Sequence, residues 1–489
     1  MRKLAVSIDA VWVSVAVAVP GLLTLLSPLG TVDLAYQIRT GDLILAHRAI
    51  PSVDTFTFSA AGAPWTVQQW GAAVFLAAGF STAGWSGILV LTATIVAAAF
   101  ALVLAACLLM GAAPRTAAVL TVVAYVTAFG ALAPRAQLFA VLCFAATLAL
   151  VAGRSRSPRR FLLTPLILLA WANLHGSFAL GLLVIGWGLL EDLSRRRPAW
   201  RRDVLVLTLS AVATCVTPFG PAVWLYAVEL ASNPTISSLI AEWQSMTIRS
   251  PIGMVFAASA IAVGTVLVAR RRLVTWPTLL WLAGLFLLCL WTQRAIVWWA
   301  LGAAVAVAGL LAAEPAADPA TRLDRWLSTT ARRHISPVNG ALTLGIVTAP
   351  VILAFAVLVR PSDPVTGPAG VLRDAPPGLT AAVAEQAKPA DRILNAQRWG
   401  SWLEWAVPEA LVFVDSRIEI VPREVWDDYI AVTRGRFDWR SIVDRIAPDM
   451  IVASRADQQA LIDAIAADPA SGWREVYADD DGAVYTRNP

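Results

Sequence analysis

Val67-Gln-Gln-Trp-Gly-Ala-Ala-Val-Phe-Leu-Ala-Ala-Gly-Phe-Ser-Thr-Ala83 is the stretch on which the threading of this chain turns. It is apolar enough to enter a bilayer, yet it is shorter than the about 20 residues that cross a hydrocarbon core, and it opens on Gln68, Gln69 and Trp70. Cytoplasmic loops retain arginine and lysine, so the basic residues decide the case. If 67–83 does not cross, one side receives Arg2 and Lys3, Arg115, the loop Gly153-Arg-Ser-Arg-Ser-Pro-Arg-Arg160, Arg195 to Arg197 with Arg201 and Arg202, Arg270 to Arg272, and Arg322, Arg325, Arg332 and Arg333. These are 19 of the 25 basic residues before residue 361. If it crosses, every later loop changes sides and 17 of the 19 move outward. The expectation is therefore a helix lying along the outer surface with tryptophans at headgroup depth, a cytoplasmic N-terminus and an outward-facing C-terminal region.

Composition excludes a water-soluble globule. Of 489 residues, 58% are hydrophobic and only 15% are charged, too few to cover a soluble surface, and the mean hydropathy is +0.67. Candidate spans fall at 10–29, 86–110, 116–132, 136–152, 161–174, 176–191, 204–228, 251–269, 274–291, 295–313 and 338–360, about eleven by the length criterion. The start, Met1-Arg2-Lys3 and an apolar stretch, has too long a core for a signal peptide and no A-x-A cleavage pattern at Ser27-Pro28-Leu29-Gly30, so it reads as a retained first span. Lysine occurs only at Lys3 and Lys388, and the Arg- and Ala-rich composition points to a bacterium with a GC-rich genome.

The net charge of +5 hides two opposite parts. Residues from 361 on carry 21 acidic and 13 basic side chains, whereas those before carry 12 and 25. The expected organisation is a membrane domain over 1–360 whose first outer loop, 31–85, bears interfacial helices, a Pro-rich linker over 361–378, and an extracytoplasmic α/β domain over 379–489. In that domain β-formers cluster at 392–395, 411–415, 450–453, 473–477 and 483–486, with helical patterns at 398–406, 423–433 and 456–467. Cys107, Cys143, Cys215 and Cys289 lie in apolar runs without CxxC spacing, which supports neither a disulfide framework nor a zinc site.

In this topology the isolated ionisable groups of the body converge on the outer side: Asp33, Arg39 and Asp54 in the first outer loop, Arg135, His175, Glu242 and Arg294 at later span ends. Leu34, Ile38 and Leu45 share one face of a short amphipathic helix. Arginine forks match phosphate oxygens, a role open to Arg135 and Arg294, and His175 suits phosphate binding or a proton relay. A carboxylate can act as general base on an acceptor hydroxyl, and Asp33 is assigned that role. Each residue has a plainer alternative: Asp33 as a solvated helix end, the arginines as snorkelling anchors, His175 as the partner of a helix break. Asp415 and Arg417 read as a structural pair. The inner arginine clusters read as topology determinants touching anionic lipid, not nucleic-acid sites.

These residues resemble the GT-C superfamily of integral-membrane glycosyltransferases, nearest to a poorly characterised bacterial branch. The resemblance rests on Asp-x-x-x-x-Ile-Arg-x-Gly at Asp33 to Gly41, Ile50-Pro-Ser-Val-Asp54, Pro134-Arg135-x-Gln137, Asn173-Leu-His-Gly176 and Val412-Phe-Val-Asp-Ser-Arg417. It implies a polytopic α-helical fold with a C-terminal α/β domain and an acidic catalytic base in the first outer loop. It also implies a polyprenyl-phosphate sugar donor, an acceptor that is a cell-envelope glycan, lipid or protein, and a place in the bacterial cytoplasmic membrane. Arg39, Asp54 and Glu242 join Arg135, Arg294 and His175 as candidates for binding the donor. Many members pair two acids at the base position, whereas Asp33 is flanked by Val32 and Leu34, so no metal ligand set is assigned and a divalent metal remains an open element of the resemblance. Two other functions compete: a lipid or glycan transporter, which expects charges deep inside several spans, and a catalytically silent scaffold with a transferase-like body.

Overall fold

The computed structural model describes residues 5–312, 335–361, 363 and 365–488. Arg2, Lys3, Arg322, Arg325, Arg332 and Arg333, used above for topology, lie outside the described residues. The chain divides into two compact units. The first gathers residues up to 27, 89–232 and 237–359, and the second 28–88, 233–236 and 360–489.

The first unit is helical because its segments are apolar on every side, and a backbone in hydrocarbon must satisfy its own hydrogen bonds. Among the described residues, eight helices are long and apolar enough to cross a membrane. At its centre Ile296–Ala312 is enclosed almost all round and packs on Pro114–Ala128 and Trp276–Trp291. Pro337–Leu358 lies at the periphery against Ile8–Leu25, with Leu344, Val351, Ile352 and Phe355 exposed, a surface suited to lipid.

Three of the about eleven expected spans fall short of that length criterion. The 161–174 segment contains an 11-residue helix, Thr164–Leu174, and the 274–291 segment a 16-residue one, Trp276–Trp291. The expected 204–228 span is not one helix. Trp200–Ala213 and Ala222–Ser232 are separated by a turn holding Pro218, Gly220 and Pro221, with Gly220 at φ +55. Two prolines deny backbone donors there, and a positive φ ends helical propagation.

At the end of Ala136–Gly153, ion pairs join neighbouring helices. Arg154, after Ala136–Gly153, donates to Asp192 at 2.8 Å and lies 3.7 Å from Asp203, which also pairs with Arg202 at 2.7 Å.

In the second unit, residues 28–88 join 360–489. The C-terminal part is α/β, as expected. Its five-stranded mixed sheet has the order β4-β3-β5-β7-β6, with β3 Arg392–Asn395, β4 Leu411–Val412, β5 Met450–Ser454, β6 Trp473–Ala478 and β7 Gly482–Arg487. Strand β3 runs parallel to β4 and β5, and β7 runs antiparallel to β5 and β6. Strand β5 is buried along its whole length, so Met-Ile-Val-Ala-Ser reads as a continuous rather than an alternating apolar run. The loop segment adds to this framework: β1, Leu29–Gly30, pairs in parallel with β2, Leu372–Arg373, and the Phe58 N–H donates to the Val412 carbonyl at 3.0 Å.

The stretch 67–83 becomes the first leg of Trp70–Leu109, a 40-residue helix broken at Ala83 and Gly84. Gly84 has φ +56 and ψ −144, a conformation open only to glycine, so the sequence itself sets the break.

Candidate active site

In the first unit four of the sequence-derived candidates come together. Arg135 is the residue before the helix Ala136–Gly153, held extended after Pro134, and its Nη2 donates to Glu242 Oε2 at 2.6 Å. Arg294 sits in the 3-10 turn Gln293–Ala295 that leads into Ile296–Ala312. Its Nε donates to Gln137 Oε1 at 2.9 Å, and its guanidinium lies 5.4 Å from the centre of the Trp243 ring. The turn Ala241–Trp243 is tied down through the Thr292 hydroxyl, which donates to the Glu242 carbonyl at 2.9 Å.

His175 ends the helix Thr164–Leu174 in extended backbone and begins the turn Gly176–Phe178. Its Nδ1 accepts the Ser177 N–H at 3.1 Å, so the neutral ring carries its proton on Nε2. Burial first, then the charges of Arg294 and Arg135, hold the imidazole well below its ordinary range, so it stays neutral at physiological pH. Burial works to raise the Glu242 carboxyl, but Arg135 and Arg294 outweigh it and keep the group ionised. Its side chain is 44% exposed, and the direction stands on the two adjacent cations.

Two guanidiniums, a neutral imidazole and the Gln137 amide thus gather where three helices begin, Ala136–Gly153, Ala179–Ser194 and Ile296–Ala312. Gln137 is 1% exposed, and its Nε2 is buried without a hydrogen-bond partner. Helix N-termini carry partial positive charge and unpaired N–H groups. Such a cluster can bind an anion of phosphate type.

The candidates of the first outer loop belong to the second unit. Asp33 precedes the helix Leu34–His47, is half-buried, and makes no side-chain cap to that helix. Arg39 is engaged with the backbone: it donates to the carbonyls of Glu404 and of Pro408, the latter at 3.1 Å, and covers the Phe56 ring at 4.4 Å. Asp54 accepts from the N–H groups of Phe56 and Thr57 and from the Thr57 hydroxyl at 2.6 Å, and pairs with Arg417 at 2.8 Å. Both side chains hold the loop to the segment 404–417.

Arg417 is the group whose surroundings the sequence reading underestimated. Beyond its pair with Asp415, it meets Asp54 and approaches Glu404 at 3.6 Å, and its guanidinium lies 4.4 Å from the Trp65 ring centre and 4.8 Å from that of Phe56. Burial and the neighbouring Asp415 push the Glu404 carboxyl well above its ordinary range, so it holds a proton. Arg417 outweighs burial at Asp415 and keeps that carboxyl ionised. Arg417 is thus held between the carboxyl groups of Asp54 and Asp415. Glu419 is likewise pushed up to about 7, by burial first, with Asp415 and Asp33 adding and Arg417 opposing.

The signal that could have found Glu404 is Trp402-Leu-Glu-Trp405, an acid amid aromatics on an amphipathic helix. Gln137 and Trp243 lacked such a signal, because an amide and a ring at a span end are common. Among the described residues no group of three or more His, Cys, Asp or Glu side chains is placed to hold a metal ion.

Comparison with known proteins places the fold. No protein-family profile matches the chain, and no curated protein sequence matches it significantly. Solved structures do match. One is the archaeal oligosaccharyltransferase AglB from Archaeoglobus fulgidus in complex with an inhibitory peptide and a dolichol-phosphate. It has a TM-score of 0.57 and 13% identity over 97% of this chain and 74% of that one. Another is ArnT from Cupriavidus metallidurans bound to undecaprenyl phosphate, with a TM-score of 0.51 and 14% identity over 97% of each chain. The apo form of the Archaeoglobus enzyme matches at 0.52 with 12% identity. The chain therefore shares the overall fold of these solved proteins.

Proposed function

From a GT-C fold carrying a cationic cluster, we propose that this protein is a membrane glycosyltransferase that moves a sugar from a polyprenyl-phosphate donor to an acceptor outside the cytoplasm. The observation that carries the reading is the first-unit cluster: Arg135 and Arg294 around a neutral His175 at three helix starts, a receptor for one phosphate group. The dolichol-phosphate and undecaprenyl phosphate present in the two solved relatives support the same ligand class.

In this reading the two guanidiniums and His175 Nε2–H neutralise the departing polyprenyl phosphate as the sugar–oxygen bond breaks. Asp33, in the first outer loop, is assigned separately as the general base that takes the proton of the acceptor hydroxyl in an inverting transfer. Glu242, which pairs with Arg135, orients the guanidinium toward the phosphate. The acceptor is a cell-envelope glycan, lipid or protein, and the protein resides in the bacterial inner membrane with its N-terminus inside.

The test is binding of undecaprenyl phosphate to the purified protein in nanodiscs. Wild-type protein is expected to bind it, and Arg135→Gln and Arg294→Gln to weaken binding at least tenfold. Equal affinity in both variants would exclude this cluster as the phosphate site.

A further inference from the structure

Arg417 has a place in the fold that a structural pair with Asp415 does not account for. Its side chain is 1% exposed, and the groups around it come from two distant parts of the sequence. Asp54, Phe56 and Trp65 belong to the first outer loop, Asp415 and Glu404 to the C-terminal region.

The helix that Asp33 opens is fastened to the same point twice. Tyr36, one turn after Asp33, places its ring 5.8 Å from the Arg417 guanidinium. Arg39, on the next turn, also lies over the Phe56 ring and donates to the Glu404 carbonyl. Ile420, three residues beyond Arg417, packs on the cluster of Phe56, Trp65 and Val67 together with Tyr36. A planar fork is suited to this environment, since it can stack between rings while its edge meets carboxylates, which an ammonium cannot do.

We infer that Arg417 is a positioning residue for Asp33: it clasps the first outer loop to the C-terminal domain and so fixes the helix Leu34–His47 on which the proposed base is mounted. The inference rests on the assignment of Asp33 in the proposed function. The C-terminal domain is then part of the catalytic scaffold, and a bound acceptor that perturbs the segment 412–420 acts on the base through this clasp.

The experiment compares full-length wild-type protein, Arg417→Met, Arg417→Lys, Asp54→Asn and Asp33→Asn in nanodiscs. Hydrogen exchange is followed over 34–47 and over 296–312. Turnover is measured on a panel of undecaprenyl-phosphate hexoses and pentoses, using the member that wild-type protein turns over. Arg417→Met is expected to speed exchange of 34–47 at least tenfold while leaving 296–312 unchanged, and to lower kcat at least tenfold with the donor KM within twofold. Arg417→Lys recovers part of both losses. Asp54→Asn opens the clasp from the loop side and gives the same pattern, which keeps the test decisive if Arg417→Met does not fold.

Unchanged exchange of 34–47 in both clasp variants overturns the inference. So does faster exchange with unchanged kcat. Full turnover by Asp33→Asn, or none by wild-type protein, removes the functional reading instead, and the exchange result still judges whether the clasp holds the helix.

Discussion

Arg135 and Arg417 are both arginines paired with carboxyl groups, yet their surroundings differ in exposure. Arg135 faces Glu242, a carboxylate 44% exposed and therefore displaceable, whereas Arg417 is enclosed by carboxylates that no solvent reaches. A charge-assisted contact is worth about 1.5–3 kcal/mol, so Arg135→Gln should cost a phosphate ligand roughly tenfold or more in affinity without unfolding the chain. Removing one partner from a buried cluster costs about 3–5 kcal/mol, so Arg417→Met should lower the melting temperature measurably.

The titration of the second unit follows from its protonated acids. Glu419 is raised from 4.5 to about 7, so the folded form holds a proton that the unfolded chain releases. In that interval folded protein binds more protons, and stability must fall as pH rises. Melting of this unit, followed by exchange of its peptides from pH 5 to pH 8, should occur at progressively lower temperature. Glu419→Gln should flatten the slope, and a slope unchanged in that variant would discount the assignment.

At the scale of elements, β3 at Arg392–Asn395 and the helix Arg423–Thr433 stand where the sequence pattern predicts them, because each is a short apolar or amphipathic run bounded by strong turn residues. The helices Pro377–Gln386 and Trp439–Ile446 were not legible: the first hides in a Pro-rich stretch, and the second has only eight residues, although Trp439, Ile442 and Val443 line its buried face. The broken 204–228 segment misled for a different reason, since hydropathy sums run through Pro218 and Pro221 without registering the lost backbone donors.

Of the candidate site, residue type at span ends revealed the cations and His175. The clasp was not legible, since Asp54 and Arg417 are 363 positions apart and only the fold pairs them. One close approach makes the outer-loop helix sensitive to a single atom. A methyl group on Gly41 would lie 2.1 Å from the Ala73 carbonyl oxygen, backbone that cannot swing away. Gly41→Ala should therefore cost about 1–3 kcal/mol, read as a lower melting temperature with faster exchange over 34–47.

For the whole molecule, the arginine distribution makes a directional claim that labelling can check. A cysteine replacing Asp480, near the end of the acidic domain, is expected to react with a membrane-impermeant maleimide added to intact cells. One replacing Arg156 is expected to react only after the membrane is opened. The reverse pattern would invert the threading and remove an extracytoplasmic acceptor from the account.

Sugar transfer by this protein is expected to depend on one carboxylate. Its most direct test is transfer of radiolabelled sugar from an undecaprenyl-phosphate donor panel by purified wild-type protein and by Asp33→Asn, each first shown to be folded and to bind undecaprenyl phosphate. The expected result is transfer by the wild-type protein, with a loss of at least a hundredfold in the variant and unaltered phosphate binding. Transfer at the wild-type rate by Asp33→Asn would contradict it.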